Sequence, residues 1–232
     1  MPTLNHFVYN IRNSPMAGQA NTDDNKLNPR QIEFWISYYR AAVLKEMVKN
    51  RESIDNIFYQ DLGIVPLTEV DMTDQDCSQY IKWGCTIKKT KIPIPVTESN
   101  SNSLLWVGFV NKIDPISIVN PNHVFSRMKT MFGKNTNRSW IIGDTLYISF
   151  NHRSKKTKYI NIRGIFEDPT TAFNYSYEGC DKKCFDEEVD NYPLSEAVYQ
   201  KIVGDIFRKE LFSYTNSKPD DVNNGRQDTK VV

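Results

Sequence analysis

The sequence has little of what most enzyme active sites are built from. It holds only 3 histidines, 4 cysteines and 10 glycines in 232 residues. Neither Gly-x-x-x-x-Gly-Lys-Ser/Thr nor Gly-x-Gly-x-x-Gly occurs, so the common phosphate-binding loops are missing. The Gly-x-Ser-x-Gly nucleophile elbow is also missing. These absences argue against an NTPase and give no support to a hydrolase, so we expect no catalytic residue, no cofactor and no enzymatic activity.

The chain also lacks an overall charge and a long hydrophobic run. Its formal net charge is +1, which gives no global attraction to nucleic acid or to a membrane surface. No stretch approaches the roughly 18 apolar residues that cross a bilayer. The first residues, Met1 to His6, show no basic segment followed by an apolar run, as a signal peptide would. We therefore expect a protein that is made and used in a cytoplasm, with no membrane partner.

The cysteines and histidines do not fall into metal-ligand patterns. The cysteines are Cys77, Cys85, Cys180 and Cys184. Four thiolates would suit structural zinc, but the usual zinc hairpin has two residues between its cysteines, and neither pair here has that spacing. In a cytoplasm we expect free thiols and no metal. The histidines, His6, His123 and His152, are predicted to lie at the surface or to cap turns, and the acidic clusters at 71–76 and 181–190 to be solvated loops.

A strong amphipathic helix is predicted from Pro29 to Lys49. Asn28 is a good N-cap, and proline suits the first helical turn because its missing N–H would be unpaired there. Apolar residues then recur at the three-and-four spacing of one helix face: Ile32, Trp35, Ile36, Tyr39, Val43 and Met47. Phe34 and Tyr38 widen that face, which indicates a helix buried on more than one side.

The middle of the chain is predicted to be mostly antiparallel β-structure. Short β-branched or aromatic runs, each bounded by turn residues, lie at 64–70, 81–92, 104–110, 116–119, 140–150 and 158–166. Gly143 and Asp144 indicate a two-residue hairpin turn within the fifth run. A second apolar stripe predicts a last helix from Pro193 to about Phe212. The fold class is therefore α+β, with two long helices flanking the β region and with an extended N-terminal arm and C-terminal tail.

These patterns divide the chain into six segments. They are an N-terminal arm and linker (1–28), a helical segment (29–62), a β-rich region (63–169), a loop (170–192), a C-terminal helix that packs with the first (193–213) and an extended tail (214–232).

Two local basic patches interrupt the balanced charge. One consists of Lys88, Lys89 and Lys91, and the other is a cluster of Arg153, Lys155, Lys156 and Lys158 in the polar connection and at the start of the last predicted strand. Such a cluster is more often a solvated loop, but it also suits a surface that faces a DNA backbone, for example in the lumen of a channel. Both interpretations stay open at the level of the sequence.

Several short segments of the sequence, taken in order, resemble those of one known family. They are LNHFVYNIRN at 4–13, RQIEFWISYYR at 30–40, QDLG at 60–63, YINIRGIFEDP at 159–169, and Tyr192-Pro193 before the last helix. Together they resemble the virion structural proteins of crAss-like bacteriophages, most closely the ring protein that stacks below the portal. The resemblance runs from the arm to the last helix, but it does not include the tail after Thr215 or the loop at 180–190.

The resemblance implies a non-enzymatic, homo-oligomeric ring, a dodecamer, in the head-to-tail connector at the portal vertex. Its implied partners are the portal protein, other ring and tail proteins, and genomic DNA that passes through the lumen without sequence specificity. The candidate contacts between subunits lie in the arm, at Phe7, Tyr9, Ile11 and Arg12, and in the tail. Removal of residues 1–13 is then expected to leave a folded subunit that fails to join the connector.

Three other functions remain open at this level. A tail or tail-fibre adaptor would have a similar fold and lower symmetry. A virion-packaged hydrolase would bring His123 or His152 close to two carboxylates. A host-directed binding module would be monomeric in solution and absent from virions.

Overall fold

The computed structural model describes six stretches of the chain, residues 2–14, 28–71, 86–95, 103–123, 136–175 and 184–212. Within them the chain forms a mixed α+β fold with a seven-stranded sheet, which confirms the predicted class. Both ends of the described chain contribute helices to one apolar core, and the middle forms the sheet around a second core. The prediction that two long helices flank the sheet is not confirmed.

The helices have the following bounds: α1 Leu4–Arg12, α2 Pro29–Asn50, a 3-10 turn Asn56–Phe58, α3 Pro169–Asn174 and α4 Glu196–Asp205, which continues as a π-helical segment Ile206–Leu211. Of these, α3 lies in the stretch that the sequence analysis assigned to a loop. Its start carries a recognisable signal, because Asp168 caps the backbone N–H of Thr170 at 2.9 Å and Pro169 follows in the first turn. The sequence also favours a short helix at 123–132, but of this range only His123 is among the described residues.

Helix α1 replaces the predicted extended arm. The side chain of Thr3 accepts a hydrogen bond from the backbone N–H of His6 at 3.3 Å and so caps the helix. Four apolar residues at the spacing i, i+3, i+4 and i+7 then point into the core: Leu4, Phe7, Val8 and Ile11. The N-terminal segment is therefore a packed part of the subunit and not an arm, and its removal would open the core.

Helix α2 agrees closely with its prediction. The side chain of Asn28 accepts from the backbone N–H of Arg30 at 3.1 Å, and the helix ends where Arg51 adopts a left-handed conformation with φ 56°. One face is buried, and α4 packs against it. The contact includes a hydrogen bond of 2.6 Å from the Tyr39 hydroxyl to the carboxylate of Glu210 in the π-helical segment.

The seven strands are β1 Gln60–Glu69, β2 Thr86–Thr90, β3 Leu104–Phe109, β4 Ser117–Ile118, β5 Arg138–Ile142, β6 Thr145–Phe150 and β7 Tyr159–Gly164. Their order across the sheet is β3-β7-β1-β2-β6-β5-β4. All neighbours are antiparallel except β4 and β5. The hairpin of β5 and β6 turns at Gly143 with φ 63°, and Ile142 pairs with Thr145, which confirms the predicted two-residue turn.

The sheet nearly closes on itself. The backbone N–H of Ile116, just before β4, donates to the carbonyl of Val107 in β3 at 2.7 Å, and Gly108 bridges to Pro115. A glycine is required at this seam because a Cβ on Gly108 would lie 2.6 Å from the carbonyl oxygen of Asp114. The two outer strands of the sheet are therefore joined along one short stretch.

Arg40 fastens the helices to the end of the sheet. It is fully buried, and its guanidinium donates to the carbonyls of Phe166 and Pro193, both at 3.1 Å. It also lies 5.9 Å from the centre of the Tyr192 ring, and burial raises the pKa of that phenol. Because the acceptors follow β7 and precede α4, one side chain of α2 holds together the sheet and the C-terminal helix.

Candidate functional site

The basic cluster lies on one connection of the sheet. Residues 151–158 link β6 to β7, and these strands are separated in the sheet by β1 and β2. The connection therefore passes the ends of both intervening strands. Lys88 of β2 contacts this connection, because the Lys88 ammonium donates to the carbonyl of Thr157 at 3.0 Å.

Side-chain hydrogen bonds hold this connection in one conformation. The backbone N–H of Asn151 donates to the side-chain oxygen of Asn137 at 2.9 Å. The side chain of Asn151 in turn accepts from the backbone N–H of Ser154 at 2.9 Å, and Thr157 closes a second turn on the Ser154 carbonyl at 3.0 Å. Asparagine and serine commonly brace turns in this way. We call residues 151–158 the basic loop. Its backbone is therefore fixed, although its exposed side chains are free to contact a neighbouring molecule.

The four predicted cations all project from this loop into solvent: Arg153, Lys155, Lys156 and Lys158. Within the described part of the chain none of them is in an ion pair. No acidic residue occurs between Asp144 and Glu167, so nothing in that stretch of sequence offsets the charge. The structure thus brings the predicted residues together as an array of uncompensated positive charge, which is what a phosphate backbone attracts.

Lys88 has a different role from the one its sequence suggested. It was grouped with Lys89 and Lys91 as a second basic patch, but it is only 6% exposed. Besides its bond to the loop, its ammonium lies 3.6 Å from a carboxylate oxygen of Glu69 on β1. Lys88 supports the basic loop and is not part of the exposed array. The sequence of β2 gives no local signal of this role, because Lys88 shares its face of the strand with the polar residues Thr86 and Thr90.

The predicted subunit contacts of the N-terminal segment separate into two groups. Phe7 and Ile11 are each 1% exposed and belong to the helical core. The Phe7 ring lies 4.4 Å from the ring of Tyr199 on α4, measured between centroids. Tyr9 is 66% exposed, and Arg12 is partly buried. Of these four, only Tyr9 and Arg12 therefore remain available to a neighbour, and the position of α1 predicts that a chain without residues 1–13 would lose part of its core.

A second polar cluster joins three parts of the sheet. The carboxylate of Asp61 accepts from Lys112 at 2.7 Å, from the backbone N–H of Gly63 at 2.8 Å and from the amide of Asn161 at 2.9 Å. Burial acts to raise the pKa of Asp61, but these hydrogen bonds outweigh it and lower the pKa. The cluster sits at a β-bulge of β1, and its bonds to β7 and to the turn after β3 give it a structural role.

The predicted cysteine sites and the C-terminal tail lie mostly outside the described residues. Cys184 is a free, exposed thiol, whereas Cys77, Cys85, Cys180 and the tail at 214–232 lie outside the described residues. In the stretches that are described, no three His, Cys, Asp or Glu side chains are grouped as metal ligands would be. Among those same stretches, no helix has the length and apolar character needed to cross a membrane.

Comparison with models of known protein families identifies a family for this chain. The model of the family described as phage tail ring protein 2 matches residues 6–229. No curated protein sequence matches the chain. The family match extends beyond the short segments that carried the resemblance, because it includes the loop at 180–190 and most of the C-terminal tail.

Proposed function

We propose that this chain, which belongs to the phage tail ring protein 2 family and is a ring protein of a crAss-like phage, is a structural subunit of the head-to-tail connector. In this function it joins the portal to the tail and contributes to the channel through which genomic DNA passes. It acts by binding and positioning other virion proteins and not by catalysis. The ring is a dodecamer at the portal vertex, assembled in the cytoplasm of the host bacterium.

The basic loop is the observation that carries the DNA part of this proposal. Its charges are exposed and unpaired within the described chain, and its backbone is held by Asn137 and Asn151. A fixed array repeated around a ring would present a belt of positive charge to a duplex. Contacts of this kind go to phosphates, so they position DNA without reading its sequence. This suits a channel through which the whole genome must pass.

The described surface also supports binding to protein partners. Tyr9 and Arg12 remain accessible on α1, next to the segment that precedes α4. We expect the portal protein and other ring and tail proteins to bind outside the lumen. The word "tail" in the family description favours one alternative, a ring or adaptor placed further down the tail, in which the same basic loop would still face the channel.

The DNA function is tested by neutralising the loop in the phage. The variant Arg153→Gln, Lys155→Gln, Lys156→Gln should assemble normally but package or eject DNA several-fold more slowly, because phosphate contacts are lost. The loop backbone bonds do not involve these side chains, so the fold should be unchanged. The control neutralises three exposed cations elsewhere, Arg51, Lys201 and Arg208, with the same change in net charge; of these, Lys201 also loses its ion pair with Glu46 at 3.4 Å. DNA release is measured by fluorescence after triggering with detergent and receptor extract.

Two results would contradict this part of the proposal. One is an assembly defect of the loop variant with normal DNA release from the particles that form. The other is an equal slowing by loop and control variants, which would indicate a general charge effect. Cryo-electron microscopy of wild-type virions tests the position separately: about twelve copies at the portal vertex are expected, and copies confined to the lower tail would support the alternative.

A further inference from the structure

Helix α2 has an outward face that combines aromatic and basic residues. Phe34 and Tyr38 are 64% and 58% exposed, and their rings stack with centroids 6.1 Å apart and planes inclined by 21°. Arg30, Lys45 and Lys49 are exposed on the same side of the helix. At 100° per residue these five side chains fall within about 100° of the helix circumference, opposite the buried face. We call this surface the α2 face.

The α2 face has the composition of a binding surface. Large exposed aromatics are costly to hydrate, and aromatic side chains are enriched at the centres of protein interfaces. The sequence pattern groups Phe34 and Tyr38 with the apolar face of α2, yet both rings are exposed in the subunit, whereas Ile32, Ile36 and Leu44 are buried. Lys45 and Lys49 form no ion pair with any described residue. A partner for this face should therefore be both apolar and acidic.

The same chain carries a surface of that kind at residues 186–190, which we call the acidic turn. Val189 is 64% exposed, and the neighbouring Glu187 and Glu188 are exposed as well. The turn is well held, because the backbone N–H of Asp186 donates to the carboxylate of Asp190 at 2.9 Å and the N–H of Glu188 donates to Asp186 at 3.0 Å. An apolar side chain thus stands among fixed negative charges.

The acidic turn lies beside α2 but outside the α2 face. Ser37 contacts the segment after the turn, with its hydroxyl 3.3 Å from that of Tyr192. Burial, and after it the like charge of Glu187, raises the pKa of Glu33. Glu33 and Ser37 each precede an aromatic of the α2 face by one residue, about 100° around the helix. The turn therefore flanks α2 and leaves its outward face free.

We infer that the α2 face of each copy binds the acidic turn of the neighbouring copy in the ring. Val189 would lie against the Phe34–Tyr38 pair, and Glu187 and Glu188 would approach Lys45 and Lys49. The contact is head-to-tail, because it joins two different surfaces, and a head-to-tail contact is what closes a ring. Pairing of two α2 faces is disfavoured because it would oppose like charges. The inference rests on the proposed ring and names the surfaces that build it.

Two purified variants separate this contact from any other. Phe34→Ser with Tyr38→Ser removes the α2 face, and Glu187→Lys with Glu188→Lys reverses the acidic turn. Each alone should lose the ring, with affinity falling at least about tenfold per aromatic removed. Mixed together they should stop at a heterodimer, because only one intact pair of surfaces remains. Mass photometry measures the species, and circular dichroism checks that the exposed changes leave the fold intact.

A matched control and a charge swap complete the set. Val110→Ser with Ile113→Ser removes two exposed apolar residues outside both surfaces and should leave the ring unchanged. Reversal of Lys45 and Lys49 to glutamate, combined in one chain with the reversed acidic turn, should restore the ring. Rings of wild-type size from the α2-face variant would overturn the inference and leave the proposed ring function untouched.

Cross-linking within virions tests the same contact when the purified wild-type chain is monomeric. Tyr38→Cys and Glu188→Cys are introduced into a chain whose four native cysteines, Cys77, Cys85, Cys180 and Cys184, are replaced by serine. A short bis-maleimide should then link successive copies into a ladder, while either single cysteine variant should not. Copies present as a ring but without the ladder would refute the contact, whereas particles that lack the ring would refute the proposed function itself.

Discussion

Replacement of Phe7 by alanine should destabilise the subunit strongly, although the sequence suggested a contact with a neighbour. The side chain is 1% exposed, and its ring packs against the rings of Tyr199 at 4.4 Å and Tyr192 at 6.4 Å. These neighbours are themselves fixed, because Tyr192 is fully buried and the Tyr199 hydroxyl donates to the Phe7 carbonyl at 3.4 Å. The space left by the lost ring therefore cannot collapse easily.

The expected loss is about 3–5 kcal/mol of unfolding free energy, the usual range for removing a buried phenylalanine into a cavity. This is a large share of the total, because domains are stable by only about 5–15 kcal/mol. Tyr9→Ala is the matched control on the same helix. Since Tyr9 is 66% exposed, its loss should change the stability by no more than about 0.5 kcal/mol.

Urea unfolding followed by circular dichroism measures both variants. With a slope near 2 kcal/mol per molar, Phe7→Ala should lower the midpoint by roughly 1.5–2.5 M, and Tyr9→Ala should leave it in place. A Phe7→Ala variant within about 1 kcal/mol of wild type, or a Tyr9→Ala variant that is equally damaged, would show that α1 is not packed as described. The first result would return Phe7 to the candidates for subunit contact.

Two further predictions concern the sheet. Gly108→Ala should cost about 1–3 kcal/mol, because the new methyl group would collide with the Asp114 carbonyl and the Trp106 ring at the seam; thermal unfolding measures it, and Gly204→Ala, where a Cβ meets nothing within 4 Å, is the control. Asp61 has a lowered folded pKa, so its stabilising contribution is present above the unfolded pKa of about 4 and is lost as the pH falls through the folded pKa. Asp61→Asn should therefore be less stable than wild type near neutral pH, and the difference should shrink below about pH 4 in urea unfolding measured at both pH values.

Local patterns explain which elements the sequence could reveal. Helix α2 has a capping asparagine, a proline in the first turn and a long apolar stripe, so propensity and packing agree. Helix α1 has the same spacing, but its nine residues include β-branched and aromatic side chains that also suit a strand. Its helical form depends on the core formed with α2 and α4, which the local sequence does not specify.

The candidate site shows the same division. The exposed cations are close in sequence, so a local pattern predicts them as a group. The groups that hold them come from elsewhere: Asn137 precedes β5, and Lys88 lies on β2. Arg40 also depends on distant segments. A helical arginine normally faces water, whereas the Arg40 guanidinium donates hydrogen bonds to carbonyls from two segments far away in the sequence. Long-range pairing of this kind leaves no local pattern.

Many copies of the subunit gather at high local concentration during assembly. The joined edges of the sheet protect these copies from aggregation. An open strand would offer its unpaired backbone groups to any other chain, and addition of strands would compete with the correct assembly. In the described sheet, β3 is occupied along part of its length by residues 115–116, and β4 at the other side has only two residues. Little backbone is left to template a foreign strand. Copies should then recognise one another through side chains, whose identities a virus can change one at a time.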